Sequence, residues 1–157
     1  MIIYRVESNI FENDKVFAGP YDVSGILNIE QWADREDMFH TDISIHPSPL
    51  DEDKIREVVS FHDNDCYCGF KSIHQLEQWF SPKELSKLLA LDYNIYVYDS
   101  NEVIEGDRQL IFKPSNTKRS HFDMSQLSNN YRKKLESYEY KNLKKTHIDN
   151  FLNIFQK

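Results

Sequence analysis

Residues 66–85 read CYCGFKSIHQLEQWFSPKEL, and this short stretch contains two helix starts. Ser72 and Gln75 form a capping-box pattern, in which the hydroxyl accepts a hydrogen bond from a free backbone N–H and the amide reaches back. Residues 81–84 repeat the pattern more strongly, because Pro82 stands at the first helical position, where its missing N–H costs nothing. The stretch therefore predicts two successive short helices.

The apolar side chains of this stretch and of the residues just after it follow helical spacing, so each helix has one face to bury. They are Ile73, Leu76, Phe80, Leu85, Leu88 and Leu89. We predict a bent pair of helices wedged into the core. Trp79 and Phe80 belong to that core, whereas Phe70 and Ser72, where the loop leads into the first helix, are candidates to face a ligand.

The rest of the chain predicts an α+β fold. Residues 1–7 and 94–98 are rich in β-branched and aromatic side chains, which is typical of strands. Residues 102–105 and 108–112 follow as shorter strands separated by turns, and residues 51–61 form an amphipathic helix. The expected architecture is a small, mostly antiparallel sheet of the first strand and the 94–112 meander, packed by short helices.

Charge divides the chain at about residue 113. The formal net charge of the 157 residues is −7, yet residues 1–113 hold 22 acidic and 10 basic side chains, whereas residues 114–157 hold 4 and 9. We predict an α+β core domain over 1–113 and a basic helical arm over 114–157, with helix caps at Ser125 and Thr146. Such an arm must dock on the core or on a partner subunit, so dimerisation through it is one expectation.

Three readings of this charge pattern stay open. The acidic body is simply solvated, with the basic arm folded onto it; or it meets a basic partner, such as a host protein or nucleic-acid enzyme; or the arm contacts nucleic acid. No apolar run approaches 18 residues, so no membrane span is expected. Cys66 and Cys68 are too close for an easy disulfide and too few for structural zinc, which favours a cytoplasmic location.

Arg5 is the unusual residue of the first strand, because a buried arginine needs an anionic partner. That partner is either an internal carboxylate or a phosphate or carboxylate of a ligand. His40 and His46 lie in a long irregular segment without the i, i+4 spacing of a metal-binding pair, so no metal site is predicted. The sequence contains no phosphate-binding glycine loop, nucleophile elbow or zinc-protease motif.

A set of short motifs resembles a family of small phage and prophage proteins over about residues 1–113. The motifs are Tyr4-Arg5-Val6-Glu7, Gly19-Pro20-Tyr21, His46-Pro47-x-Pro49, Cys68-Gly69-Phe70-x-Ser72-x-x-Gln75-Leu76-x-x-Trp79-Phe80 and Gln109-x-x-Phe112. The arm beyond residue 113 lies outside this resemblance. The resemblance implies a phage-type protein and by itself no activity.

The order of these motifs is also similar to that of ADP-ribosyltransferase-like domains. That likeness implies NAD as the bound substrate, held by a pocket of Arg5, Tyr21, His46, Phe70 and Ser72. It implies Gln109 at the position of the family's catalytic glutamate, although a neutral amide cannot supply the charge this role needs. Glu105, four residues earlier, is the acidic alternative. The implied reaction transfers ADP-ribose to a host macromolecule, and the alternative function is a non-catalytic acidic protein that inhibits a basic host or defence factor.

Overall fold

The computed structural model describes residues 1–9, 51–57, 66–90, 92–114 and 119–138. The strands are β1 (Ile2–Ser8), β2 (Tyr67–Gly69), β3 (Tyr93–Asp99), β4 (Val103–Glu105), β5 (Leu110–Phe112) and β6 (Ser120–His121). The α-helices are α1 (Asp53–Arg56), α2 (Ile73–Trp79), α3 (Pro82–Ala90) and α4 (Asn129–Ser137), with a 3₁₀ turn at Met124–Gln126. The expected α+β class is confirmed. The cap predicted at Thr146 lies outside the described residues.

The strands form two three-stranded antiparallel sheets, ordered β1-β3-β6 and β2-β5-β4. One residue pair joins them: Tyr4 and Phe70 exchange two backbone hydrogen bonds of 2.8 Å. Gly69 permits this approach, because a Cβ there would lie 2.5 Å from Cγ2 of Ile3. Backbone hydrogen bonds thus connect the two sheets at this bridge.

This topology differs from the predicted meander in one respect. The β4–β5 hairpin pairs with β2 at residues 67–69 instead of continuing the sheet from β3. The strand β2 is three residues long and includes a glycine, so it lacks the length and the β-branched content by which strands are recognised.

The predicted helix pair is confirmed together with its caps. Oγ of Ser72 accepts a 3.1 Å hydrogen bond from the backbone N–H of Gln75, and Oγ of Ser81 does the same for Glu84 at 3.1 Å. The reciprocal bond is shifted by one residue, because Oε1 of Gln75 accepts from the N–H of Lys71 at 3.0 Å. These contacts fix where α2 and α3 begin.

The main core lies between the helices and one face of the first sheet. Its buried side chains are Val6, Phe70, Leu76, Trp79, Phe80, Leu85, Leu88, Tyr93, Ile95, Phe122, Leu127, Tyr131 and Leu135. A smaller cluster fills the space between the two sheets and consists of Ile3, Tyr96, Tyr98, Leu110 and Phe112. Alternation along β1 therefore sends Tyr4 and Val6 towards the helices, and Ile3 towards the second sheet.

The described part of the basic arm docks on the core. β6 pairs with β3, and the hydroxyl of Tyr131 donates a 2.6 Å hydrogen bond to the carbonyl of Phe80. Both carboxylate oxygens of Glu77 accept hydrogen bonds from Ser128, at 2.7 and 2.8 Å. A division at residue 113 stays a prediction. Within the described ranges, no helix is long and apolar enough to cross a membrane.

Candidate functional site

Arg5, the first residue assigned to ligand binding, is engaged inside the protein. Its side chain is 9% exposed, and Nε donates a 3.0 Å hydrogen bond to Oε2 of Glu7. Nη1 donates to the carbonyl of Cys68 at 2.7 Å, and the guanidinium lies 5.5 Å from the centre of the Tyr67 ring. Of the two partners expected for Arg5, the structure contains the internal carboxylate.

Glu7 is the centre of a buried polar cluster. Its side chain is fully buried, and Oε1 accepts hydrogen bonds from the hydroxyl of Tyr98 at 2.7 Å and from Nη1 of Arg119 at 3.0 Å. Burial first, and then the adjacent Glu7 charge, raise the pKa of Tyr98. The guanidinium of Arg119 also stacks 3.9 Å from the ring centre of Tyr96. The cluster therefore holds residue 119 against β1.

Phe70 and Ser72 have structural roles in the described fold. Phe70 is 6% exposed, and its ring centre lies 5.4 Å from that of Trp79 and 6.0 Å from that of Phe80. The structure thus places Phe70 in the core, whereas the sequence analysis predicted that it could face a ligand. Ser72 uses its hydroxyl to cap α2. Tyr21 and His46 lie outside the described residues.

The two residues assigned to catalysis stand on one hairpin in different environments. Glu105 ends β4 with its side chain 42% exposed, and Oε2 forms a 3.3 Å ion pair with Nζ of Lys71, just before α2. Gln109 is buried, and its carbonyl accepts a 2.8 Å hydrogen bond from the N–H of Gly106. Of these two residues, Glu105 is therefore the one whose side chain reaches the surface.

An open groove of about 380 Å³ lies between α2 and the turn at residues 106–109. Its described lining residues are Gln75, Gln78, Trp79, Asp107 and Arg108. Of the sequence-assigned site residues that the structure describes, none belongs to this lining, although Glu105 and Gln109 flank the turn in sequence. Sequence reasoning missed the groove because it placed Asp107 in a turn and Arg108 at the start of a strand, and only tertiary packing sets these residues opposite α2.

The charges at this turn are organised by α1. Nζ of Lys54 lies 2.7 Å from Oδ1 of Asp107. That hydrogen bond, together with the charge of Lys54, holds the pKa of Asp107 below its usual range, and the same contact raises the pKa of Lys54. Asp107 is therefore ionised beside the groove at neutral pH.

The cysteines and metal ligands give no second centre among the described residues. Burial raises the pKa of the Cys68 thiol, which lowers its thiolate fraction and hence its nucleophilicity. The part of the chain that the structure describes contains no group of three or more His, Cys, Asp or Glu side chains placed to hold a metal ion.

Comparison with known proteins gives one match. A family model described as "Bacteriophage T4 Y00F protein" matches residues 1–126. No curated protein and no solved structure matches the chain. The family match supports the resemblance to phage proteins and extends beyond residue 113 to include Arg119 and β6. It does not bear on the likeness to ADP-ribosyltransferases.

Proposed function

The chain belongs to the bacteriophage T4 Y00F protein family, and we propose that it binds a nucleotide in the groove between α2 and the 106–109 turn. The observation that carries the proposal is the groove itself. Its volume of about 380 Å³ falls in the usual range of small-molecule sites, and its described lining combines one cation, one anion and two amides.

These groups match the parts of a nucleotide. The guanidinium of Arg108 suits a phosphate, which it can bind through two parallel N–H donors. The ionised carboxylate of Asp107 can accept hydrogen bonds from the hydroxyls of a ribose. Oε1 of Gln75 already accepts from the N–H of Lys71, so its amide nitrogen is the part that can serve a base or a carboxamide. Gln78 is exposed beside it.

NAD is the nucleotide we propose, following the likeness to ADP-ribosyltransferases. Arg108 takes over the phosphate-binding role first assigned to Arg5, because the Arg5 guanidinium is bound to Glu7 and Cys68. If the ligand is turned over, Glu105 is the candidate to stabilise the positive ribose in the transition state. The bond from ribose to nicotinamide then breaks, nicotinamide leaves, and the acceptor atom of a host macromolecule forms the new bond and loses a proton. We place this reaction in the cytoplasm.

Calorimetric titration with NAD, ADP-ribose and AMP tests the proposal. We expect saturable binding of NAD by the wild-type protein, weakened at least tenfold in Arg108→Ala and kept in Lys133→Ala, which removes an exposed cation on α4. A thermal-shift scan should show a higher melting temperature with the same ligands, because they bind only the folded state. Absence of heat and of thermal shift with all three ligands would refute nucleotide binding.

The second candidate function is the acidic interaction protein. The observation that favours it is a set of exposed carboxylates at and just before α1 and at the β4–β5 hairpin, which packs against α1: Asp51, Asp53, Glu102, Glu105 and Asp107. Such a surface attracts a basic host or defence factor, and salt weakens the attraction. Association with a purified basic host factor should weaken as the salt concentration rises from about 50 to about 500 mM, because the Debye length shortens over this range. It should also weaken in the Asp51→Asn/Asp53→Asn double variant. Salt-independent association would count against it.

A further inference from the structure

We propose that Glu52 is a positioning residue for this groove: its buried carboxylate fixes the 106–109 turn that carries Asp107 and Arg108. The contact between Glu52 and the turn is a feature of the described structure. Its consequence for ligand affinity rests on the nucleotide-binding function proposed above.

The first support is the way in which Glu52 uses its carboxylate. The residue is 8% exposed, and Oε1 accepts a 2.7 Å hydrogen bond from the backbone N–H of Arg108. Oε2 is fully buried, and in the described structure it has no hydrogen-bond partner. Burial of a carboxylate is costly unless hydrogen bonds compensate it. The hydrogen bond to the turn is the compensation that the structure shows for Glu52, so we infer that this contact has a structural role.

The second support is that the side chain of Glu52 does not cap its own helix. It occupies the N-cap position of α1, yet its side chain makes no capping hydrogen bond there. Its backbone carbonyl accepts from the N–H groups of Ile55 and Arg56, which any residue could provide. A purely local role at the helix start therefore leaves the direction of the side chain unexplained.

The third support is the close packing of the turn on this carboxylate. A Cβ at Gly106 would lie 2.6 Å from Oε1 of Glu52 and 2.7 Å from Cδ1 of Ile55. The turn is closed by the hydrogen bond from Gly106 N to the carbonyl of Gln109, at 2.8 Å. Glycine thus lets the turn rest directly on Glu52, and the turn and α1 form one packed unit.

The consequence is that α1 and its N-cap residue hold both charged residues of the groove in place. The buried carboxylate of Glu52 accepts a hydrogen bond from the backbone N–H of Arg108, and Lys54 donates one to the exposed carboxylate of Asp107. The surface pair contributes little, because both partners are mostly exposed. Loss of the buried contact should therefore free the turn to move away from α1 and misplace Arg108 relative to Gln75.

Hydrogen exchange on the unliganded full chain tests the positioning directly. Glu52→Met keeps the length of the side chain and removes the acceptor, whereas Glu52→Gln keeps an acceptor oxygen. We expect at least tenfold faster exchange of the Arg108 amide in Glu52→Met, near wild-type exchange in Glu52→Gln and in the control Glu136→Ala, and no change in the amides shared by β1 and β3. Unchanged exchange at Arg108 in Glu52→Met would overturn the proposal.

A second variant keeps the test valid if Glu52→Met fails to fold. Gly106→Ala pushes the carboxylate away from the turn, so it should raise exchange at Arg108 while the β1–β3 amides stay protected. Equal exchange in Gly106→Ala and wild type would contradict the packing argument.

Nucleotide affinity then separates positioning from general stability. If Glu52 acts through Arg108, Glu52→Met should weaken NAD binding about tenfold alone and add almost nothing in the Arg108→Ala background. Independent, additive losses would overturn the link to Arg108. If the wild type binds no nucleotide, the proposed function fails, and the exchange result alone decides whether Glu52 positions the turn.

Discussion

Arg119 donates a 3.0 Å hydrogen bond to the buried carboxylate of Glu7, 112 positions earlier in the chain. Arg5 donates to the other oxygen of the same carboxylate at 3.0 Å. Two arginines therefore share one fully buried anion, and this anion connects the first strand to the segment that follows residue 113. The relationship identifies Arg5 as a structural residue within the described fold.

Replacement of Glu7 should destabilise the protein severely. Glu7→Ala removes the carboxylate that both arginines share and the acceptor of the Tyr98 hydroxyl, and loss of one partner from a buried ion pair costs about 3–5 kcal/mol. Urea denaturation should show this loss. Asp99→Asn is the control, because its contact to the N-terminal amine is largely exposed and should change stability by less than about 1 kcal/mol. A small effect of Glu7→Ala would mean that the cluster is not structural.

Truncation should show that the core extends past residue 113. A fragment 1–113 lacks β6 and the buried side chains of Leu127, Tyr131 and Leu135. Loss of each large apolar group costs about 2–5 kcal/mol, so the three together cost about as much as the whole stability of a typical domain, roughly 5–15 kcal/mol. We expect no cooperative urea transition for 1–113 and a cooperative one for 1–138. A cooperative transition for 1–113 would instead support the predicted boundary.

Light scattering on the same proteins tests dimerisation through the arm. If residues 139–157 mediate it, the full chain should have twice the mass of a monomer and 1–138 the mass of one. The same number of chains per particle in both proteins would refute residues 139–157 as the dimer contact.

Stability should fall at alkaline pH through Tyr131. Burial first, and then the charges of Glu77 and Glu84, raise the pKa of Tyr131, and its hydroxyl donates to the carbonyl of Phe80. Because the folded pKa lies above the unfolded value, this stabilisation is fully present below about pH 10 and is lost as the pH rises towards the folded pKa. The free energy of unfolding of Tyr131→Phe should be lower by about 1 kcal/mol at pH 7 and should depend less on pH between 9 and 11. An unchanged pH dependence would contradict this assignment.

Arg5 and Arg108 should separate stability from ligand binding. Arg108→Ala should reduce NAD affinity at least tenfold, about 1.4 kcal/mol, with little change in the melting temperature, because its side chain is exposed. Arg5→Ala should lower the melting temperature clearly. Calorimetry and thermal melting on the same samples distinguish the two. The reverse pattern, with affinity lost in Arg5→Ala alone, would return the ligand site to Arg5.

The sequence predicted what is local and missed what depends on distant pairing. The caps of α2 and α3 and their apolar faces lie within a few residues of one another, and these helices appear as expected. The strand β2 gains its identity from pairing with β5, more than 40 residues later, which no local pattern reveals. The buried position of Phe70 likewise depends on a distant partner, because Phe70 pairs with Tyr4.

The candidate site was predictable only in part for a similar reason. Glu105 and Gln109 were correctly expected close together on one hairpin, because a turn signal separates their strands. Glu52 lies at the start of the predicted helix over 51–61, between two other acidic residues, and its sequence neighbours do not indicate a contact to Arg108. A groove between distant elements has no sequence motif of its own.

The joining of β1 to late partners has a consequence for synthesis on the ribosome. β1 precedes its described partners in the chain, which are residue 70, the strand at 93–99 and Arg119. During translation, β1 therefore emerges well before each of these described partners is made. Slow translation of this gene would lengthen the delay before β1 meets these partners, and with it the exposure of the strand to proteases and chaperones.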